Sequence, residues 1–187
     1  MVVLLILAIL LAIAIPTFLG VTKSANDRAT QTNLNTALVN GKSIFQNNGQ
    51  SYALTTPVAA TNTTNLGISM AGSLFSAQPN LTFQTGAVAS TGSGSAQVSV
   101  AVSSDGANLA LAEQARGTAT CWYVVDNSTG SISTPAPWSL TSTTSGPITV
   151  GTWYGEFKNS GNNCSAASLQ SSGATGVYWS QGTFPNQ

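Results

Sequence analysis

The chain has 187 residues, with five basic and five acidic side chains, no histidine and a net charge of zero. Charged residues make up 5% of the chain, against about 25% in an ordinary globular protein, whereas serine and threonine fill about a quarter of it. No basic stripe for nucleic acid is present, and the residue that most often serves as metal ligand or acid–base group is missing. We therefore expect no catalytic residues, no metal and no cofactor.

The chain opens with an uncharged apolar segment that extends to Val21. At 1.5 Å per residue, a helix over this segment is about 32 Å long, which is enough to cross the hydrocarbon core of a bilayer. A signal peptide has a basic start, a shorter apolar region and a small-residue cleavage site, none of which the sequence shows. The segment therefore predicts a transmembrane helix.

The helical pattern continues beyond the apolar segment without a linker. Between Thr22 and Phe45 only Gly41 disfavours a helix. The apolar residues of this stretch lie close to one stripe of a helix, and they are Leu34, Ala37, Leu38, Ile44 and Phe45. We predict one helix over residues 1–50, with an apolar first half and an amphipathic second half. Pro16 lies inside it and donates no backbone hydrogen bond to Ala12, so we expect a kink or an unwound turn there.

The stretch VVLLILAILLAIAIPTFLGVTKSANDRA resembles the N-terminal helix of bacterial type IV pilins. An aliphatic run, an Ile-Pro pair, an aromatic residue two positions later and a small, polar, charged stretch together carry the resemblance. It implies a helix that lies in the membrane before assembly and in the core of a helical homopolymer afterwards. The side chains implied as the assembly core are Leu4, Leu5, Leu7, Leu10, Leu11, Ile13, Ile15 and Phe18.

The resemblance places the mature start of the family about six residues before Met1. The basic leader of the family, and the glutamate that helps to dock a subunit there, would then precede this sequence. The alternative is a pilin that starts at Met1 and docks without that glutamate. Lys23 and Arg28 follow the apolar segment and would by themselves hold the remainder in the cytoplasm. A basic leader reverses that orientation, so the resemblance implies an extracellular head.

Over residues 51–187 the sequence pattern becomes that of short strands and turns, which predicts a globular head. Residues 55–67 are typical of a loop. Strands are predicted where β-branched, aromatic or alternating apolar residues occur, with a hairpin turn at Asp105 and Gly106. These strands cover 96–103, 107–114, 119–126 and 148–158, and 176–184 is predicted as a strand or an extended tail. The sequence thus predicts an α+β fold in which a consecutive, antiparallel sheet packs on the amphipathic half of the helix, as in the ladle-shaped pilin fold.

Cys121 and Cys164 are the only cysteines. In an exported protein an even pair predicts a disulfide, and two buried free thiols are the alternative. Six aromatic residues near the strands are predicted to serve in core packing and subunit contacts rather than in ligand stacking. Four Asn-x-Ser/Thr sites are candidates for glycosylation, and they are Asn62, Asn80, Asn127 and Asn163.

The function that these features favour is that of a structural subunit of an extracellular type IV pilus. By resemblance, its partners are copies of itself, the membrane before assembly, the assembly ATPase, the platform protein and the prepilin peptidase. One alternative is a pseudopilin of a type II secretion system, which shares the N-terminal helix. A second alternative is a membrane-anchored, exported binding domain.

Overall fold

The computed structural model describes residues 2–54, 63–86, 90, 96–129, 149–158, 164–167 and 177–185. Two helices precede six strands in the chain. They are α1 (Val2–Asn47), α2 (Thr63–Ala77), β1 (Thr82–Thr85), β2 (Gln97–Val102), β3 (Asn108–Gln114), β4 (Cys121–Asn127), β5 (Gly151–Phe157) and β6 (Val177–Gln181). A long helix and a mostly antiparallel sheet confirm the predicted α+β class.

Helix α1 is continuous over 46 residues and contains Pro16. It ends where Gly49 adopts a φ of 65°, the left-handed conformation that terminates many helices. The backbone N–H of Gln50 then donates to the carbonyl of Phe45 at 2.9 Å. The apolar and amphipathic halves therefore belong to one helix, as predicted.

The six strands lie in the sheet in chain order. Strands β2 to β6 pair antiparallel through their neighbours, with Val100 opposite Leu111 and Trp122 opposite Glu156. The prediction of consecutive antiparallel strands is right for these five. Strand β1 was not predicted, and it pairs parallel to β2 from Thr82 opposite Gln97.

The predicted loop over residues 55–67 is wrong for 63–67, because helix α2 begins at Thr63, and residues 55–62 lie outside the described residues. Leu66, Met70 and Leu74 recur every four residues and are buried, and this periodicity outweighs the turn-forming residues before them. Gly67 is no turn residue here. A Cβ at Gly67 would lie 3.0 Å from the carbonyl oxygen of Val100, so the glycine lets α2 approach β2 closely.

Both helices cover the same face of the sheet. Alternate residues of the strands point toward them, as the period of two in a strand requires. The amphipathic half of α1 contributes the predicted stripe, with Leu34, Ala37 and Leu38 at 5% exposure or less. The main buried apolar cluster also contains Leu66, Met70, Leu74, Val98, Val100, Val102, Leu109, Leu111, Trp122, Val124 and Tyr154.

The opposite face of the sheet carries a second, smaller cluster. Small side chains line its centre, at Ala101, Ala110 and Ala112, beside the larger Tyr123. A short segment over residues 164–167 lies against this face and is held by hydrogen bonds from its backbone to β2 and to the end of β1. The Ala166 N–H donates to the Ser99 hydroxyl at 3.0 Å, and the Ala167 N–H donates to the Gly86 carbonyl at 3.1 Å.

Gly41 sits where α1 crosses β3. A Cβ at this position would lie 2.7 Å from Cδ2 of Leu109, a distance that requires the buried leucine to move. The one residue between Thr22 and Phe45 that disfavours a helix is therefore the residue that permits the helix to contact the sheet.

We expect Gly41→Val to lower the free energy of unfolding by about 1–3 kcal/mol, because added methyl groups overpack the core. The matched control is Gly72→Val in α2, where an added Cβ meets no heavy atom within 4 Å. Denaturant unfolding of both variants in the same detergent measures the difference. Equal stability of the two variants would contradict the close approach of α1 to β3.

Candidate assembly surface and neck

The first half of α1 lies outside the folded head. The predicted assembly-core side chains are all exposed, and their exposed fractions lie between 50% for Leu7 and 70% for Phe18. The most apolar window of 18 residues has a mean hydropathy of 3.1, and none of that window is buried. By length and composition the helix can cross a membrane, and a signal sequence near the N-terminus can be equally apolar. We call residues 2–21 the apolar segment.

The Thr17 hydroxyl of the apolar segment is satisfied by the helix itself. The hydroxyl of Thr17 donates to the carbonyls of Ala14 at 2.9 Å and Ile13 at 3.2 Å. The helix remains helical through Pro16, so the expected unwound turn is not observed, and a bend there stays a prediction. Internal bonding of this kind is what a helix needs in lipid or in a dry bundle of helices.

The apolar segment joins the head at a neck, which we define as residues 22–31 of α1 together with the strand ends beside them. The side-chain amide of Asn26 donates to the carbonyl of Arg116 at 2.8 Å. The indole Nε1 of Trp122 donates to Oδ1 of Asp27 at 3.1 Å. These two hydrogen bonds attach the helix to the β3–β4 connection and to β4. The first turns of the neck are therefore bound to the sheet.

A polar cleft of about 500 Å³ opens at the neck between α1 and the end of β5. Its charged lining groups are Asp27, Arg28, Glu156 and Lys158. Lys158 Nζ lies 4.0 Å from Oε1 of Glu156, whose own side chain is almost completely buried. Burial raises the pKa of Glu156, and the nearby Lys158 charge opposes that rise.

Glu113 is a carboxyl group buried between α1 and the sheet, with 3% exposure. The amide of Asn33 donates to its Oε1 at 3.1 Å, while its Oε2 has no hydrogen-bond partner among the residues that the structure describes. Burial raises the pKa of Glu113 to about 8, although the Asn33 hydrogen bond favours the ionised form. Glu113 is therefore mostly protonated at neutral pH.

A second polar network fixes the far end of α1 to the sheet. Lys42 Nζ lies 3.0 Å from Oδ1 of Asp126 and donates to the Thr152 hydroxyl at 2.8 Å. The phenol of the buried Tyr52 donates to Oδ2 of Asp126 at 2.5 Å. Burial, together with the Asp126 carboxylate, raises the pKa of Tyr52 above its usual range. This network therefore has a structural role, because each of its polar groups is ion-paired or hydrogen-bonded to another group of the network.

Cys121 and Cys164 form a disulfide with a Cα–Cα distance of 5.4 Å, which attaches the segment 164–167 to the start of β4. Of the candidate glycosylation sites, Asn80 is exposed in a turn after α2. Asn127 is 1% exposed in β4, which leaves no room for a glycan in the folded head. Asn62 and Asn163 lie outside the described residues.

The strand aromatics pack mainly inside the head. Trp122 and Tyr154 both contact Phe184, with ring centroids 5.5 and 4.6 Å apart. Phe184 follows β6 and was not singled out by the sequence, because nothing local distinguishes it from a residue of a free tail. Tyr178 is the exception at 65% exposure, and it stays available for a contact with another chain.

No three metal-binding side chains come together within the described ranges of the chain. Comparisons of the chain with protein-family models, with curated proteins and with solved structures found no match.

Because the folded pKa of Glu113 lies above its ordinary value of 4.5, its contribution to stability is complete below about pH 4.5 and is lost as pH rises through about 8. We expect stability to fall over this range, by at most about 1.4 kcal/mol per pH unit for this group. Glu113→Gln should flatten that slope, with Glu156 supplying a remainder. Unfolding measured from pH 5 to pH 9 tests this.

The control for this experiment is Asp105→Asn, which removes a carboxyl group from an exposed turn at the other end of the head. This variant should keep the slope of the unmodified chain. A Glu113→Gln variant with an unchanged slope would show that Glu113 is ionised in the folded head.

Proposed function

We propose that this chain is a structural subunit of an extracellular type IV pilus filament. The observation that carries the proposal is the division of α1: Leu34, Ala37 and Leu38 are buried under the sheet, whereas the side chains from Val2 to Phe18 are exposed. An apolar surface of that length is unstable in water and requires another environment. A bilayer before assembly and a bundle of identical helices afterwards supply two such environments.

The energetics of assembly follow from the similarity of those two environments. Lipid tails are as apolar as the side chains of the apolar segment, so transfer into a bundle gains little hydrophobic free energy. Close packing and specific contacts then decide whether a subunit stays in the filament. An assembly balanced in this way suits extension and retraction by a motor.

The geometry of the neck also supports a filament subunit. Since α1 has no linker between its halves, the head is held at a fixed position relative to the apolar segment. When apolar segments bundle with a constant stagger, the heads must repeat with that stagger. Identical, head-to-tail contacts that do not close on themselves generate a helical polymer.

A shallow apolar hollow beside Pro16 is a place where a neighbouring helix would pack. Five residues line it, and they are Ala14, Ile15, Thr17, Phe18 and Val21. Protruding and recessed side chains on such a surface let two helices pack closely. In an apolar environment this packing, rather than the exclusion of water, supplies the free energy of helix association.

Two other functions use the same apolar helix. A pseudopilin of a type II secretion system would form a short periplasmic assembly rather than a surface fibre. A membrane-anchored binding domain would stay a small species in detergent and would not need a rigid neck. The hydrogen bonds of Asn26 and Asp27 to the sheet favour the polymer over the anchored domain.

We expect cells that produce the chain to carry filaments containing it, and Ile13→Asn to abolish them, because a buried amide without a partner destabilises the bundle. The matched control is Val39→Asn, since Ile13 and Val39 are 64% and 66% exposed on the same helix. Electron microscopy of sheared surface material, with labelling for the chain, measures both. Abundant membrane-bound unmodified chain without filaments would overturn the proposal.

Pro16→Ala should restore the backbone donor opposite the Ala12 carbonyl and straighten the helix. We expect a changed helical rise or fewer filaments, with the head still folded. Gly20→Ala is the control, because it raises helix propensity nearby, where an added Cβ meets nothing within 4 Å. Filaments of unchanged rise in Pro16→Ala would show that the proline has no role in packing.

A further inference from the structure

The charged side chains of the head are distributed unevenly. All ten charged residues of the chain lie within the described ranges. Four of the five basic residues lie at the neck, and all four are exposed. They are Lys23, Arg28, Arg116 and Lys158. We call these four residues the basic collar.

Contacts across the neck place the collar at one level of α1. Arg116 is held beside Asn26 by the hydrogen bond to its carbonyl. Lys158 lines the same cleft as Ser24 and Arg28. The collar is therefore drawn from α1, from the β3–β4 connection and from the residue after β5, so that it surrounds more than one side of the helix.

Acidic groups do not neutralise the collar. Asp27, Glu113 and Glu156 are the carboxyl groups at this level, because Glu113 and Glu156 both lie opposite Trp122 in the sheet. Asp27 accepts hydrogen bonds from Trp122 and Thr118, and Glu156 is 2% exposed. Even with all three counted as ionised, the neck keeps a net charge of +1. The fifth basic residue, Lys42, is paired with Asp126 at the other end of α1.

The helix fixes the depth of the collar relative to the apolar segment. From Val21, the axial distance is about 3 Å to Lys23 and about 10 Å to Arg28 at 1.5 Å per residue. The polar layer on each side of a bilayer core is about 5–8 Å thick. When the apolar segment spans the membrane, the collar lies in that layer or at its aqueous boundary.

We propose that the basic collar binds anionic phospholipid headgroups while the subunit is in the membrane, and so seats the head on the bilayer surface. The proposal rests on the membrane stage of the proposed function. Charge complementarity and continuity with the apolar segment support it, because each basic residue close to an anionic surface strengthens the association about fivefold. Subunits entering a filament must then release these lipids.

The test uses the full chain in vesicles of phosphatidylcholine that contain spin-labelled phosphatidylglycerol or spin-labelled phosphatidylcholine. We expect the anionic label to associate with the protein about threefold or more in preference to the neutral one at low ionic strength, and salt to reduce the preference. Arg116→Gln with Lys158→Gln should lower it at least about twofold. Arg116→Lys with Lys158→Arg, which keeps both charges, should not.

Acetylation of lysines in the same vesicles provides a second measurement. The side chains of Lys42 and Lys158 are 45% and 55% exposed, so they form a matched pair on opposite ends of the head. We expect anionic lipid to slow the labelling of Lys158 and to leave Lys42 unchanged. Protection of Lys158 that rises with protein density in neutral lipid would show that a second copy covers the collar, and would overturn the proposal.

The two proposals fail in different ways. A chain that inserts but shows no preference for the anionic label overturns the collar and leaves the filament proposal standing. The same holds if the two glutamine substitutions change nothing, because Lys23 and Arg28 alone would then carry the preference. A chain that does not stay with vesicles of either composition overturns both the collar and the membrane stage.

Discussion

The burial of the second half of α1 under the sheet is the constraint on which the rest of the molecule depends. Leu34, Ala37 and Leu38 supply the apolar contact, and Gly41 allows the helix to lie close enough to β3. Because the same helix continues to Val2 without interruption, the fold of the head also determines where the apolar segment points. Head and apolar segment are therefore positioned by one set of contacts.

Polar side chains of α1 also hold the helix against the sheet, at the neck and near its C-terminal end. Asn26 and Asp27 bind the sheet at the neck, and Lys42 binds it at the other end through Asp126. Between them, Glu113 is the one buried carboxyl group that faces α1 at Asn33. A chain with so few charges thus uses most of them for specific contacts or for the collar, and leaves the remaining surface to hydroxyl and amide groups.

The sequence predicted those parts of the fold that local patterns determine. Alternating apolar residues identified β2 and β3, and the β-branched and aromatic runs identified β4 and β5, whereas β6 was predicted as a strand or an extended tail. Helix α2 and strand β1 were missed, because Thr63 to Gly67 resemble a loop and β1 has only four residues. The neck contacts join residues 90 and 95 positions apart, so no local pattern contains them. Asn127 matched a glycosylation motif, but only the sheet reveals that it is buried.

The attachment of α1 at two points has a mechanical consequence. Asp27 and Lys42 are separated by about 22 Å along the helix axis, and both bind the same strand, β4, at Trp122 and Asp126. A pull on the apolar segment acts parallel to the helix, so it loads both attachments in shear at the same time. Peeling would break them one after the other at lower force. A subunit built in this way transmits tension through its helix and keeps its head folded under load.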